Sequence, residues 1–232
     1  MCRTSPKDDV FPKTPRTWFC RQIGLGQVGL AEANQHIMAV YAEPLKVYFR
    51  GSSFRRLGEA DEIVNAYFAD RLGRADFLAK WESSERPMRY WLLVGFRYFL
   101  MEQIAKRTAD DERTVPMVDE AGQSTSAAGE FHRQVARSVV REASLQAETE
   151  CRRDGLSEHW DILMRHHLKG RPLVQIAADD GLDVVRVKVM ARTAANRFRR
   201  TLREMLSWPG ASRESVDEEI HELITTLAKE KP

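Results

Sequence analysis

From Leu30 onward, apolar residues return every three or four positions along almost the whole chain, and alternating apolar-polar stretches bounded by turn residues are scarce. A period near 3.6 residues buries one stripe of a helix, whereas a half-buried strand needs a period of two, so this spacing commits the chain to helices packed on helices. The expected fold class is all-α. Helical signals run over 30–50, 59–72, 75–80, 86–107, 130–153, 157–168, 172–180, 183–206 and 212–229.

One segment breaks the pattern. Residues 108–129 (TADDERTVPMVDEAGQSTSAAG) lack helical periodicity and are rich in Asp, Glu, Ser, Thr and Gly, the composition of a tether that cannot bury enough surface to order itself. The expected organisation is therefore an N-terminal extension over 1–29, a helical lobe over 30–107, the tether, a second lobe over 130–207 and an acidic helix within 208–232. No internal repeat is visible.

Composition removes several classes. The three cysteines, Cys2, Cys20 and Cys151, are odd in number and too scattered for a disulfide framework or a zinc ligand set, which fits a reducing compartment. No run reaches the roughly 18–20 apolar residues that a membrane-spanning helix needs, and residues 1–15 hold no apolar signal core. The chain is expected in the cytoplasm, away from membranes. Its formal net charge is only +2, so a polyanionic partner must be met by local basic clusters rather than by the field of the whole molecule.

The sharpest such cluster lies within 172–203, read as two helices joined by a tight turn. Pro172 suits the first turn of a helix, Ile176 and Ala177 supply its inward face, Gly181 stands where the chain reverses at positive φ, and Asp183 caps the next helix. In that second helix Val187, Ala191, Ala194 and Phe198 share the core face. The opposite face carries Val185, Val189, Arg192, Asn196 and Arg200, flanked by Arg186, Lys188, Thr193 and Arg197. Between Asp183 and Glu204 there are seven Arg or Lys against two acids. Arg and Asn can read base edges bidentately while neighbouring cations neutralise phosphates, so the pattern points to a helix-turn-helix that inserts into the major groove. The alternative is a solvated basic helix on a protein-binding bundle.

Two further constellations lie upstream. EADEIVNAYFADRL, from Glu59, turns Ile63, Val64, Tyr67, Phe68 and Leu72 inward and leaves Asp61, Glu62, Asn65 and Asp70 mostly outside, offering an acidic docking face or simply a solvated exterior. RPMRYWLLVGFRYFLMEQIAKR, over 86–107, interleaves Tyr90, Trp91, Phe96, Tyr98 and Phe99 with Arg86, Arg89, Arg97, Lys106 and Arg107. Rings stack on unpaired bases and cations hold a phosphate backbone, so the mixture suits single-stranded DNA. Trp91, Phe96 and Phe99 are spaced to face inward, which leaves Tyr90 or Tyr98 for a base.

These segments, in this order, resemble the sigma-70 family of RNA polymerase sigma factors, and within it the extracytoplasmic-function branch that keeps only the sigma-2 and sigma-4 domains. The resemblance spans about Phe11 to Lys229. EADEIVNAYFADRL resembles region 2.2, which binds the clamp helices of the polymerase β′ subunit. MRYWLLVGFRYFLMEQIAKR resembles regions 2.3 and 2.4, which melt and read the promoter -10 element, and HLKGRPLVQIAADDGLDVVRVKVMARTAANRFRRTL resembles region 4.2, which reads the -35 element. FPKTPRTWFCRQIGLG and VDEEIHELITTL are similar to a divergent subgroup with a short C-terminal extension.

The resemblance implies polymerase contacts at Asp61, Glu62, Asn65, Phe68 and Leu72. It implies -10 contacts at Arg86, Arg89, Tyr90, Arg97, Tyr98, Lys106 and Arg107, and -35 contacts at Val185, Arg186, Lys188, Val189, Arg192, Thr193, Asn196, Arg197 and Arg200. The chain departs from the family pattern at Asn65, where Gln is usual, in the order Asp61-Glu62, and at Val185, where a small or polar residue is common. Expected partners are core polymerase, through the clamp helices and the β flap, promoter DNA as duplex and single strand, and an anti-sigma factor that no residue here identifies. The free chain is expected to be a monomer.

No enzyme, metal or cofactor is expected. Acids are spread over helix exteriors and the tether instead of converging, and His159, His166 and His167 lack a Cys or acid partner at a zinc-like interval. Two rival functions stand beside the sigma reading: a stand-alone helix-turn-helix regulator, and a sigma-like decoy that occupies polymerase without initiating. The acidic terminal helix, with Asp217, Glu218, Glu219 and Glu222, is open to two roles, packing or covering the basic lobe.

Overall fold

The computed structural model describes residues 22, 25–74, 76–110, 121–208 and 210–228, and among these every regular element is helical. In chain order these are α1 (Gln27–Gly51), a 3-10 turn (Ser53–Leu57), α2 (Ala60–Leu72), α3 (Phe77–Ser83), α4 (Met88–Asp110), α5 (Ala121–Arg153), α6 (Ser157–His167), α7 (Leu173–Asp180), α8 (Val184–Leu206) and α9 (Arg213–Ala228). Most of the N-terminal extension, with Cys2 and Cys20, and residues 111–120 of the expected tether lie outside the described residues.

The two expected lobes share part of one core, and one long helix passes through both. Residues 121–129, read as tether, form the start of α5, a helix of 33 residues that reaches about 50 Å. Its first two-thirds bury Ala127, Phe131, Val135, Val139 and Ala143 against the stripe Ala33, Ile37, Val40, Tyr41, Leu45 and Tyr48 of α1. Its last turns carry Ala147 and Cys151 into a second cluster with Trp160, Leu163 and Ala194. Leu202 and Leu206 at the end of α8, and Val216 and Leu223 of α9, return to the first core. One long helix thus serves as a spine shared by both halves.

Small residues make this possible. Ala127 sits where α5 passes the end of α1 so closely that a Cβ built on Gly51 would lie 3.3 Å from the Ala127 Cβ. Aromatic rings then tie three helices together: Tyr48 of α1 stands edge-on to Phe96 of α4, with centroids 6.2 Å apart, and to Phe131 of α5 at 6.5 Å. Edge-to-face pairs of this kind add to plain area burial.

The helix-turn-helix has a small core of its own, in which Ile162, Ile176, Ala177, Val187, Met190 and Ala191 meet. Gly181 ends α7 in the left-handed region (φ 63°, ψ 29°), and the next N–H, of Leu182, donates to the Ala177 carbonyl at 2.9 Å. A side chain at this φ is strained, which is why glycine terminates the helix. Asp183 caps α8, its Oδ2 accepting from the N–H groups of Val185 (2.9 Å) and Arg186 (3.0 Å). Both features were legible in the sequence.

Candidate nucleic-acid and protein interfaces

The outward face of α8 divides into two halves. Val185, Lys188, Val189 and Arg192 are exposed along the first two turns, with Arg186 beside them, and the three cations pair with no acid among the described residues. Further along, the expected contacts are engaged within the protein. Thr193 Oγ1 donates to the Val189 carbonyl at 2.9 Å, Asn196 accepts from Arg199 at 3.0 Å, Arg197 pairs with Asp154 at 2.5 Å and Arg200 with Glu150 at 2.6 Å. Glu150 lies in the last turn of α5 and Asp154 directly follows it, so these arginines anchor the recognition helix to the end of the spine. The Arg197 guanidinium holds the Asp154 carboxyl below its ordinary range, with Arg153 adding to the effect.

A second surface lies where α2, α3 and α4 meet. An open groove of about 370 Å³ is walled by Tyr67, Phe77, Trp91, Val94, Gly95 and Tyr98 and rimmed by Arg71, Arg74 and Lys80 with Asp76 and Glu102. Tyr98 is 60% exposed at its mouth. Gly95 is required by a close approach, because a Cβ there would lie 2.8 Å from the Tyr67 hydroxyl, which donates to the Leu92 carbonyl at 3.2 Å. The rim is largely paired: Arg71 reaches Glu102 at 3.0 Å, Arg74 reaches Asp70 at 2.9 Å and Lys80 reaches Asp76 at 2.6 Å. An aromatic-walled groove with cations at its edge can receive a flat ring attached to a phosphate backbone.

The residues expected on α4 separate sharply. Arg97, Tyr98 and Lys106 are exposed, and Arg86 stands exposed just before the helix. Arg107 is exposed as well, but its guanidinium is engaged, donating to the Leu57 carbonyl at 2.6 Å and tying α4 to the 3-10 turn. Arg89, expected to face DNA, is 1% exposed. Its Nε lies 2.5 Å from Glu219 Oε1, its Nη2 donates to Glu219 and Glu222 at 2.7 Å each, and its Nη1 meets His132 Nδ1 at 3.2 Å. Tyr90, half-buried, donates to Glu222 at 3.1 Å. As the structure stands, Arg89 is a core cation joining α4 to α9, and only removal of α9 could bring it to DNA.

The chemistry of this cluster is self-consistent. A guanidinium has donors only, so His132 Nδ1 must accept, and the ring must be neutral with its proton on Nε2. Burial and then the charge of Arg89 hold the His132 pKa down to about 4, so it is neutral near pH 7. Burial works against the charge of Arg89, but its hydrogen bonding to Glu219 and the charge of both glutamates keep it above the ordinary arginine range. Burial pushes the Glu219 carboxyl up in spite of Arg89, whereas at Glu222, 55% exposed, burial is outweighed by the charge and hydrogen bonds of Arg89 and Tyr90 together, which hold the carboxyl below its ordinary range. For this buried pair the ionised form is the one the geometry supports, since Glu219 faces two guanidinium nitrogens.

On α2, Asp61, Glu62 and Asn65 are exposed as expected. Asp61 is already paired, 2.6 Å from Lys46 Nζ and 3.7 Å from Arg50, and the Lys46 hydrogen bond lowers its pKa. Glu62 has no such partner among the described residues. Phe68 is 2% exposed, and Leu72 is half-buried and packed against the core, so Phe68 lies beneath the surface and Leu72 offers only part of its side chain to a partner. They position the acidic face from beneath, and Asn34 of α1 secures the end of the helix by donating to the Leu72 carbonyl at 3.3 Å.

Among the described residues no group of His, Cys, Asp or Glu is arranged to hold a metal ion, and no helix is long and apolar enough to cross a membrane. Cys151 is buried and unpaired, and His166 bonds the Arg171 carbonyl through Nδ1 at 2.8 Å. No family model, curated protein or solved structure matches the chain.

Proposed function

We propose that the chain is a promoter-reading subunit of bacterial RNA polymerase, of the extracytoplasmic-function sigma type, and not an enzyme. The observation that carries this reading is the presence of two different DNA-suited surfaces on one chain: a capped recognition helix whose first turns present cations that pair with no acid among the described residues, and an aromatic groove beside the exposed Arg97, Tyr98 and Lys106. The first suits duplex DNA and the second suits an unstacked base with its phosphates. A duplex-binding repressor needs only the first.

On this reading the exposed side of α2, led by Glu62, docks on core polymerase, α8 reads the -35 element, and the groove and α4 hold the opened -10 strand. Core polymerase supplies all phosphodiester chemistry, and the site of action is the cytoplasm. Each DNA contact alone can be weak, because holding both surfaces on one body raises the effective concentration of the second once the first is bound.

Size-exclusion chromatography with purified bacterial core polymerase tests the docking step. Co-elution is expected, and Glu62→Lys should abolish it while leaving the helical content unchanged. A chain that elutes as a dimer and ignores polymerase would instead be a stand-alone helix-turn-helix regulator, since such proteins pair to match two half-sites.

A further inference from the structure

Two valines occupy the middle of the outward stripe of α8, where water alone would favour polar residues. Val185 is 65% and Val189 57% exposed. They stand one turn apart, in line with Arg192 and opposite the buried Val187, Met190, Ala191 and Ala194. Valine is also a poorer helix former than the straight-chain residues that surround it, so neither hydration nor helix propensity accounts for this pair.

The surroundings select the occupant. Arg186, Lys188 and Arg192 flank the valines and pair with no acid among the described residues, so whatever covers the stripe carries negative charge on both sides of an apolar spot. The major groove of B-DNA has that layout, with phosphates along both walls and, on the base edges, one apolar group, the C5-methyl of thymine. Resting on the proposed DNA-reading role of α8, we infer that Val185 and Val189 are specificity residues that contact thymine methyl groups.

One helical turn between them spans about 6 Å, which against a rise of 3.4 Å per base pair places the two thymines about two base pairs apart, on either strand. Arg192, one turn beyond Val189, is then positioned to read a guanine next to them. The preferred duplex is thus a short thymine-containing element bordered by a G·C pair.

The full chain, with core polymerase present, is used to select duplexes from a random pool, and each thymine of the selected sequence is then replaced singly by deoxyuridine, which removes only the methyl group. Two nearby positions should each lose about fourfold in affinity, the effect of uncovering one methyl group. Val185→Ala and Val189→Ala should each cancel the loss at one of those positions, and both variants should keep the wild-type circular dichroism. Selective binding that is indifferent to deoxyuridine at every thymine, or a loss that persists unchanged in both alanine variants, would overturn the methyl reading while leaving DNA recognition intact. Failure to select any sequence would overturn both.

Discussion

Two cationic helices of this protein carry nearly the same kinds of side chain and use them in opposite ways. At the front of α8, Arg186, Lys188 and Arg192 stand in water with no acid opposite them among the described residues, while at the front of α4, Arg89 is enclosed by Glu219, Glu222 and His132. Register is the difference. Arg192 falls opposite the core stripe of its helix, whereas Arg89 lies three, seven and eleven residues before Leu92, Phe96 and Leu100, each fully buried, and so shares their face. A residue's type says what it could bind; its place on the helix says whether it can reach.

Truncation of the two arginines puts the largest strain on this contrast. Arg89→Ala leaves the carboxylate of Glu219 buried without its partner and should cost about 3–5 kcal/mol in chemical denaturation, whereas Arg192→Ala should lie within about 0.5 kcal/mol of wild type. Equal stabilities would erase the distinction. In DNA binding the order reverses: Arg192→Ala should lose about 1–3 kcal/mol at one base pair of the selected duplex and little elsewhere. A uniform loss on every sequence would reassign Arg192 to a phosphate.

Next in size is the turn that presents α8. Gly181→Ala forces a side chain into the left-handed region and should destabilise the fold by about 1 kcal/mol, seen as a lower denaturation midpoint.

The Arg89 cluster also has a pH signature. His132 has its folded pKa lowered to about 4 from 6.5, so the unfolded chain binds the extra proton between those values and stability must fall as pH drops from 6.5 towards 4. Glu219, raised by burial, acts in the opposite direction in acid, but His132→Gln keeps an acceptor for Arg89 and leaves Glu219 unchanged. Denaturation midpoints across that window should therefore be flatter in His132→Gln than in wild type, and parallel curves would show that the histidine titrates freely. Smallest of all is Arg197→Ala, which breaks a partly exposed pair with Asp154 and should cost no more than about 1 kcal/mol.

Much of this was legible in the sequence, and the failures have physical causes. The all-helical class follows from apolar spacing, and the reversal at Gly181 and the cap at Asp183 follow from local backbone chemistry, which needs no knowledge of distant residues. The start of α5 does depend on distant residues. Its polar composition argues for a tether, but packing of Ala127 and Phe131 on α1 makes it helix, a tertiary contact overriding a weak local preference. The burial of Arg89 was half-visible in its register with Leu92, Phe96 and Leu100, yet its acidic partners stand 130 and 133 residues away on a helix whose docking no local pattern announces. The groove was invisible for the same reason, since Arg71, Arg74 and Trp91 meet only after α2, α3 and α4 pack.

Promoter-specific run-off transcription with bacterial core polymerase measures the central claim directly, using a template pool that contains the duplex selected by the full chain. The account predicts transcripts of defined start that require this protein and disappear with Glu62→Lys. Polymerase that binds the chain yet yields no specific transcript from any template would contradict an initiating role and identify a decoy.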